Sequence, residues 1–465
     1  LRYHAASNMP FWKADKYIRK ITGANPFRAH DAIGAKGANF LTWSCLHHLS
    51  RHYGSVFEPA RSLVERKDSG QNWYPPNHFR PLVDWTLEPE EEDEFRAWIL
   101  GPLFQMTSLM LHENRSHLAQ MNAIGELCAQ FTRGVLAVAR RHGAEGVIRR
   151  VEAYHRLHPE AAEAGWYPVV FEQISSPAWQ QLYVNAEHDG RVGIVSISRE
   201  SYNADVDEEL NRAIDWLKAA GIERVIVTGD FHMSTQMVGA DTNDFFSALE
   251  DSGKGVEIAS SWSRTARRLN DEFATSVGFI NGKRCLGGML ELLSHCHFLI
   301  AESDAALGMP EVTLPVVPGM EGCHWLLRKT ARKHWPDVLR LLLEGKSVPA
   351  KRAVGWLVDY TGSLEESIRM SWQVAAGDDH PLERRAVAAN ALEGVAGIAI
   401  SLDDPGSPAT RAARKAILDC VHGACGAPLT AALEIQAKHS GAFMVSDSCL
   451  NGVVGATYKK TMMPA

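Results

Sequence analysis

Residues 276–303 read SVGFINGKRCLGGMLELLSHCHFLIAES, and the passage NGKRCLGGMLEL (281–292) inside them decides the fold. SVGFI is the short apolar run of a buried strand, GGMLELLSHC has the spacing of a helix entered through glycines, and HFLIAES is a strand again. The same rhythm is already running upstream. RVGIVSIS (191–198) reads as a strand, VDEELNRAIDWLKAAG (206–221) as an amphipathic helix and RVIVTG (224–229) as a buried parallel strand. Parallel strands need crossovers of this length, so the pattern predicts an α/β core that starts near residue 182, where helical spacing gives way to strand spacing.

Outward from this core the chain reads as helix. Residues 8–66 are mostly helical, whereas SGQNWYPPNHFRP (69–81) cannot be continuous helix because of Pro75, Pro76 and Pro81. EPEEEDEF (88–95) opens a new helix, with Pro89 suited to a first turn and Glu90 to Glu94 at its positive end, and helix runs on to about residue 157. Beyond residue 320, CHWLLRKTARKH (323–334), PDVLRLLLEG (336–345), SVPAKRAVGW (347–356) and a series from about 380 to 440 all read as helical. The expected division is a helical domain over 1–110, a helical linker over 111–180, the core over 181–365 and a C-terminal helical region over 366–465 that serves oligomerisation or closes the chain's own site.

Composition narrows the function classes. With 45% hydrophobic and 22% charged residues and a mean hydropathy of −0.18, the chain has the balance of a soluble globular protein. A net charge of −7 supplies no basic field for nucleic acid. No run of about 18 apolar residues would span a membrane, and the N-terminal stretch lacks the apolar centre of a signal peptide, so the cytoplasm is the expected compartment. The start at Leu1 points to processing or to a piece of a longer product. Eight scattered cysteines are read as reduced thiols.

Three segments of the core carry chemistry. In MVGADTNDFF (237–246), Gly239 lets a ligand carbonyl approach the Ala240 N–H; this follows a loop of disordered composition after RVIVTG. In NGKRCLGGMLEL the N–H groups near Gly287 and Gly288 stand at a helix start, where developing negative charge is favoured. Two such N–H groups on one oxygen form an oxyanion hole. The third segment, GMPEVTLPVVPG (308–319), brings Glu311 after a turn at Pro310 and ends on Gly319. With Glu291 it offers two carboxyls for one water, one as base and one as acid.

The order and spacing of these segments resemble the enoyl-CoA hydratase (crotonase) family over about residues 182–365, with SRESYNAD (198–205) and SVPAKRAVGWLVD (347–359) near its ends. The resemblance implies an α/β crotonase (ClpP-like) ββα spiral core, preceded and followed by helical regions, and a lyase that hydrates 2-enoyl-CoA to 3-hydroxyacyl-CoA. It implies Ala240 and Gly288 as oxyanion donors, Glu291 and Glu311 as catalytic glutamates, and Gly239, Asp241, Gly287, Met289, Pro310 and Gly319 around the substrate. Coenzyme A enters as part of the substrate, with no other cofactor and no metal. Met289, where a third glycine is usual, would narrow the space behind the oxyanion hole, and Pro315 replaces a common glycine. Isomerisation, ring hydrolysis or retro-aldol cleavage on the same core are the enzymatic alternatives, and a non-catalytic β-oxidation subunit is the other. Family members commonly assemble as trimers or hexamers.

The N-terminal stretches NPFRAHDAIG (25–34), HYGSVFEPARSLVE (52–65) and RKDSGQNWY (66–74) resemble the C-terminal helical domain of 3-hydroxyacyl-CoA dehydrogenases. No strand-linked G-x-G-x-x-G accompanies them, since GAKGAN (34–39) has the wrong spacing, so this piece is expected to be either a relic used for packing or the tail of a longer fusion whose Rossmann half lies upstream or on another subunit, with a dehydrogenase or thiolase as the expected partner. The remaining candidates read as structure: His295, Cys296 and His297 lack a second ligand cluster, Cys323 with His324 lacks a third member, Cys420 and Cys425 read as packing, and Asp241 suits a helix cap. RKTARKH (328–334) reads as a solvated helix face, or as a holder of CoA phosphates.

Overall fold

The computed structural model describes residues 1–75, 87–129, 131, 133–231, 237–402 and 404–462. The chain divides into two compact units, Leu1–Leu182 with Lys459–Ala465, and Tyr183–Tyr458.

The first unit is helical. Its aromatic core includes Tyr17, Phe27, Trp73 and Phe95. Buried Asp15 caps the helix Pro26–Ile33 from outside, accepting from the N–H groups of Phe27 and Arg28 at 3.1 and 2.9 Å, while Asp31 accepts from the N–H groups of Trp73 and Tyr74. The helix Pro89–His112 starts where Pro89 and the acidic turn predict, closed by a capping box between Glu88 and Glu91. Residues 111–180, expected as a linker, are part of this unit, and Gly143 at φ +67° breaks the helical run Val135–Leu157. Pro76 and Pro81 lie outside the described residues, as does the loop at 232–236.

The second unit is built on ten strands: β1 (Val184–His188), β2 (Gly193–Ile197), β3 (Arg224–Gly229), β4 (Met237–Val238), β5 (Thr275–Ile280), β6 (Arg284–Leu286), β7 (Phe298–Glu302), β8 (Ala306–Gly308), β9 (Val348–Pro349) and β10 (Tyr360–Gly362). Six form one sheet in the order β1-β2-β3-β5-β7-β10, parallel except for the β1–β2 pair. Central β3, β5 and β7 are buried along almost their whole length, which explains their unbroken apolar runs. Val277, Phe279 and Ile300 pack against Val374–Ala376 at the end of the helix Leu364–Ala376. The helix Ala204–Ala219 is capped by Asn203, whose side chain accepts from the Val206 N–H, and buries Val206, Leu210, Ala213, Ile214 and Leu217.

The second sheet, β4-β6-β8-β9, positions the site. β4, β6 and β8 are parallel and in register, with Val238 opposite Leu286 and Leu286 opposite Gly308. Their C-terminal ends therefore release Gly239-Ala240, Gly287-Gly288 and Met309-Pro310-Glu311 at one level.

Three expectations need correction. SVPAKRAVGW is not a helix: Val348–Pro349 pairs with β8, and a single 3-10 turn follows at Ala350–Arg352. Residues 380–407 are not a helical series; the only regular turn among those described is Val395–Gly397. Cations hold this stretch instead, as Arg328 donates to the carbonyls of Ala388 and Asn390 and Arg385 to those of Trp356 and Leu357. RKTARKH is accordingly no solvated face at its start, for Arg328 and Lys329 are both buried, Lys329 donating to the Ser294 carbonyl. Neither is placed to hold a phosphate. The eight cysteines are free thiols, and among the described residues no helix is long and apolar enough to cross a membrane.

Candidate active site

A largely apolar cavity lies where the three parallel strands of the second sheet, β4, β6 and β8, end. Gly239, Ala240, Gly288, Glu291, Pro310, Glu311 and Gly319 all line it. Folding thus brings together seven positions that are far apart in sequence.

Ala240 and Gly288 follow the paired strands β4 and β6, and Ala240 bridges to Tyr202. Tyr202 N–H donates to the Gly239 carbonyl at 2.8 Å and Asp241 N–H to the Tyr202 carbonyl at 2.7 Å, which leaves the intervening Ala240 N–H outside that ladder. Gly288 stands in the first turn of the helix Gly287–Ser294, which has no side-chain cap and whose first N–H groups have no intrahelical acceptor. A methyl placed on Gly288 would lie 3.6 Å from the Ala240 nitrogen, so the two N–H groups border the same space. Gly287 is at φ +51°, and a methyl there would meet Glu311 Oε1 at 2.4 Å. Glycine at this position is needed for both conformation and space.

The two carboxyls are held differently. Glu291 Oε1 accepts from the N–H groups of Met320 at 2.9 Å and Gly322 at 2.7 Å. Glu311 Oε2 is buried with no hydrogen-bond partner among the described residues. Burial pushes Glu291 up to about 7 against the pull of the Gly322 and Met320 N–H groups. Burial, with Glu291 beside it, pushes Glu311 up to about 8. Both carboxyls are raised, and their charges oppose each other across the same cavity, so one charge is favoured over two, the condition under which one member acts as base and the other as acid.

Three expected site residues, Gly287, Asp241 and Met289, are not part of the cavity wall. Asp241 does not line the cavity; its Oδ2 pairs with Arg199 Nη2 at 2.7 Å and its Oδ1 accepts from the Asn243 N–H, capping the turn Thr242–Leu249. Both partners of that pair are buried, so Asp241→Asn should cost about 3–5 kcal/mol in urea unfolding by stranding a buried guanidinium. An unchanged midpoint would return Asp241 to the solvent side. Met289 is fully buried and is not part of the cavity wall, so it does not narrow the space behind the oxyanion hole. Its neighbour Gly288 faces the cavity; one step along a helix turns the side chain away.

The C-terminal region contributes more than the sequence requires. Ser440 and Met444, on the helix Leu429–Met444, line the cavity with Val454. Buried Gln436 of that helix donates to the Pro318 carbonyl at 2.8 Å and accepts from the Cys323 N–H at 3.1 Å, clamping the segment that holds Glu291. Of the two expectations for AALEIQAKHSGAFMVSDSCL, the structure uses it within the chain's own cavity. Among the described residues no group of three or more His, Cys, Asp or Glu could hold a metal ion.

No family model matches the chain. It is 28% identical over 200 residues to a probable enoyl-CoA hydratase of Rhizobium meliloti, covering 41% of this chain and 74% of that protein. Part of the core is thus similar in sequence to probable enoyl-CoA hydratases. The human peroxisomal bifunctional enzyme is 32% identical over 173 residues, 36% of this chain but 22% of that one. A solved enoyl-CoA hydratase from Rhodobacter sphaeroides 2.4.1 aligns with 59% of this chain and 90% of its own at 17% identity and a TM-score of 0.43. Sequence reasoning missed Met320, Gly322 and the apolar wall formed by Phe245 and Trp262; the glycine of PGMEG was the one signal for the Gly322 contact.

Proposed function

We propose that the second unit hydrates 2-enoyl-CoA thioesters to 3-hydroxyacyl-CoA. The observation that carries this reading is the pair of buried glutamates on one cavity wall, opposite two N–H groups suited to a thioester oxygen. Glu291, whose charged form is held by two N–H groups, takes a proton from water as the oxygen adds to the β carbon. The electron pair of the double bond moves toward the thioester oxygen, which the Ala240 and Gly288 N–H groups stabilise, each donor contributing about 3–4 kcal/mol. Glu311, whose charge burial and Glu291 both oppose, delivers its proton to the α carbon. The apolar wall accommodates the acyl group and keeps bulk water from the enolate.

The first unit is proposed, on its resemblance to a dehydrogenase helical domain, to work beside a nicotinamide-binding partner subunit or an upstream segment. Incubating the full chain with crotonyl-CoA and weighing the product by mass spectrometry tests the reaction itself: hydration adds one water. A product of unchanged mass would mean isomerisation, and no turnover across short, long and ring-containing enoyl-CoA esters would refute the proposal.

A further inference from the structure

Directly behind Glu291 stands a buried ion cluster that the reaction above does not use. Its centre is Glu321, fully buried, with its backbone in the left-handed region at φ +69°. That conformation is unfavourable for a residue with a Cβ, and burying a carboxylate costs further, so the surroundings must hold it there. Arg267 grips it with both arms, Nη2 at 2.5 Å from Oε1 and Nε at 2.8 Å from Oε2. His295 Nε2 lies 3.2 Å from Oε2 and His324 Nε2 3.1 Å from Oε1. Because Arg328 Nε donates to His324 Nδ1 at 3.2 Å, the ring proton of neutral His324 sits on Nε2, which lies beside Glu321 Oε1 but outside hydrogen-bond geometry.

The cluster reaches Glu291 by two routes. His295 Nδ1 is 2.8 Å from the Glu291 backbone carbonyl. More directly, the N–H groups of the residues flanking Glu321, those of Met320 and Gly322, are the two that converge on Glu291 Oε1. A left-handed residue between right-handed ones turns its flanking N–H groups into a concave anion site, and that conformation here depends on the Glu321 side chain being anchored.

We propose that Glu321 is a positioning residue for Glu291: clamped by Arg267 and His295, it locks the 320–322 turn so that the Glu291 carboxyl meets the cavity in one orientation. The inference rests on the reading of Glu291 as a reacting carboxyl. The charged and titratable groups facing Glu291 are Glu311, Glu321 and Cys323, with Arg267 and the two histidines beyond Glu321.

The test is Glu321→Gln in the full chain, read by crotonyl-CoA kinetics against pH, by calorimetric binding of the unreactive butyryl-CoA, and by melting. The expected result is a folded protein whose butyryl-CoA affinity stays within about threefold, whose kcat falls about 10- to 100-fold, and whose acidic limb moves to lower pH as the neighbouring negative charge is lost. A folded variant with wild-type kcat and an unmoved limb would overturn the proposal, as would losses of kcat, affinity and melting temperature in parallel. If Glu321→Gln does not fold, Glu321→Gln with Arg267→Gln removes the opposed charges together and is read in the same way. If the wild-type chain itself fails to hydrate crotonyl-CoA, the hydration reading falls, and the positioning claim is then decided by the infrared carboxyl band of Glu291, assigned with Glu291→Gln: its midpoint must shift in Glu321→Gln, and an unchanged midpoint overturns the claim.

Discussion

Glu311→Gln should lower kcat for enoyl-CoA hydration by about 10²–10⁴-fold, the usual worth of a positioned general acid, while leaving the protein folded. Gln fills the same volume but cannot pass a proton to carbon. The same substitution should make the protein more stable in alkali. Glu311 is pushed from the ordinary carboxyl value of 4.5 up to about 8, because burial and Glu291 both oppose its charge. A carboxyl whose folded-state value is raised contributes stability that is fully present below about 4.5 and is lost as pH rises through about 8. Gln removes this loss. The gap in melting temperature between Glu311→Gln and wild type should therefore widen from pH 5 to pH 9 in favour of the variant. A gap that stays constant with pH would show that Glu311 is not a buried acid in the folded protein.

Gly287→Ala should be nearly as damaging to activity with no loss of any reacting group. The added methyl would stand 2.4 Å from Glu311 Oε1 and 3.3 Å from the Gly239 Cα, and the backbone at φ +51° disfavours any side chain. Relief requires the Glu311 carboxyl to move or the helix Gly287–Ser294 to shift, and either displaces an element of the site by around an ångström. Misplacement on that scale costs about 10²-fold in rate. Steady-state kinetics should show kcat reduced at least that far, with Gly397→Ala, where an added methyl meets nothing within 4 Å, as the benign control. Wild-type turnover in Gly287→Ala would mean that Glu311 does not reach the helix start.

Much of the core was legible because burial leaves a plain mark. β3, β5 and β7 are enclosed on both faces and so read as unbroken apolar runs, and the helix Ala204–Ala219 announces itself by a spacing of three to four. The site segments were legible for a different reason: glycines at Gly239, Gly287 and Gly288 and the acid after Pro310 are unusual choices for packing alone. The second sheet was not legible. Strands of two or three residues such as β4, β6 and β8 carry no periodicity, yet their shared register is what brings the three segments together. Long-range ion pairs were equally hidden. Asp241 offered a plausible cap, but nothing local names Arg199, and Arg328 sits in a run of cations that looks solvated until the carbonyls of Ala388 and Asn390 fold against it. The extended course of residues 380–407 follows from those same contacts, which override a composition rich in helix formers.

The most direct test of the two-glutamate site is the hydration rate of crotonyl-CoA by the purified full chain and by Glu291→Gln, Glu311→Gln and the double variant, followed as loss of the conjugated thioester absorbance. If both carboxyls serve one water, each single variant loses orders of magnitude and the double variant is scarcely slower than either, because members of a unit are not additive. Wild-type turnover in the double variant would contradict the account.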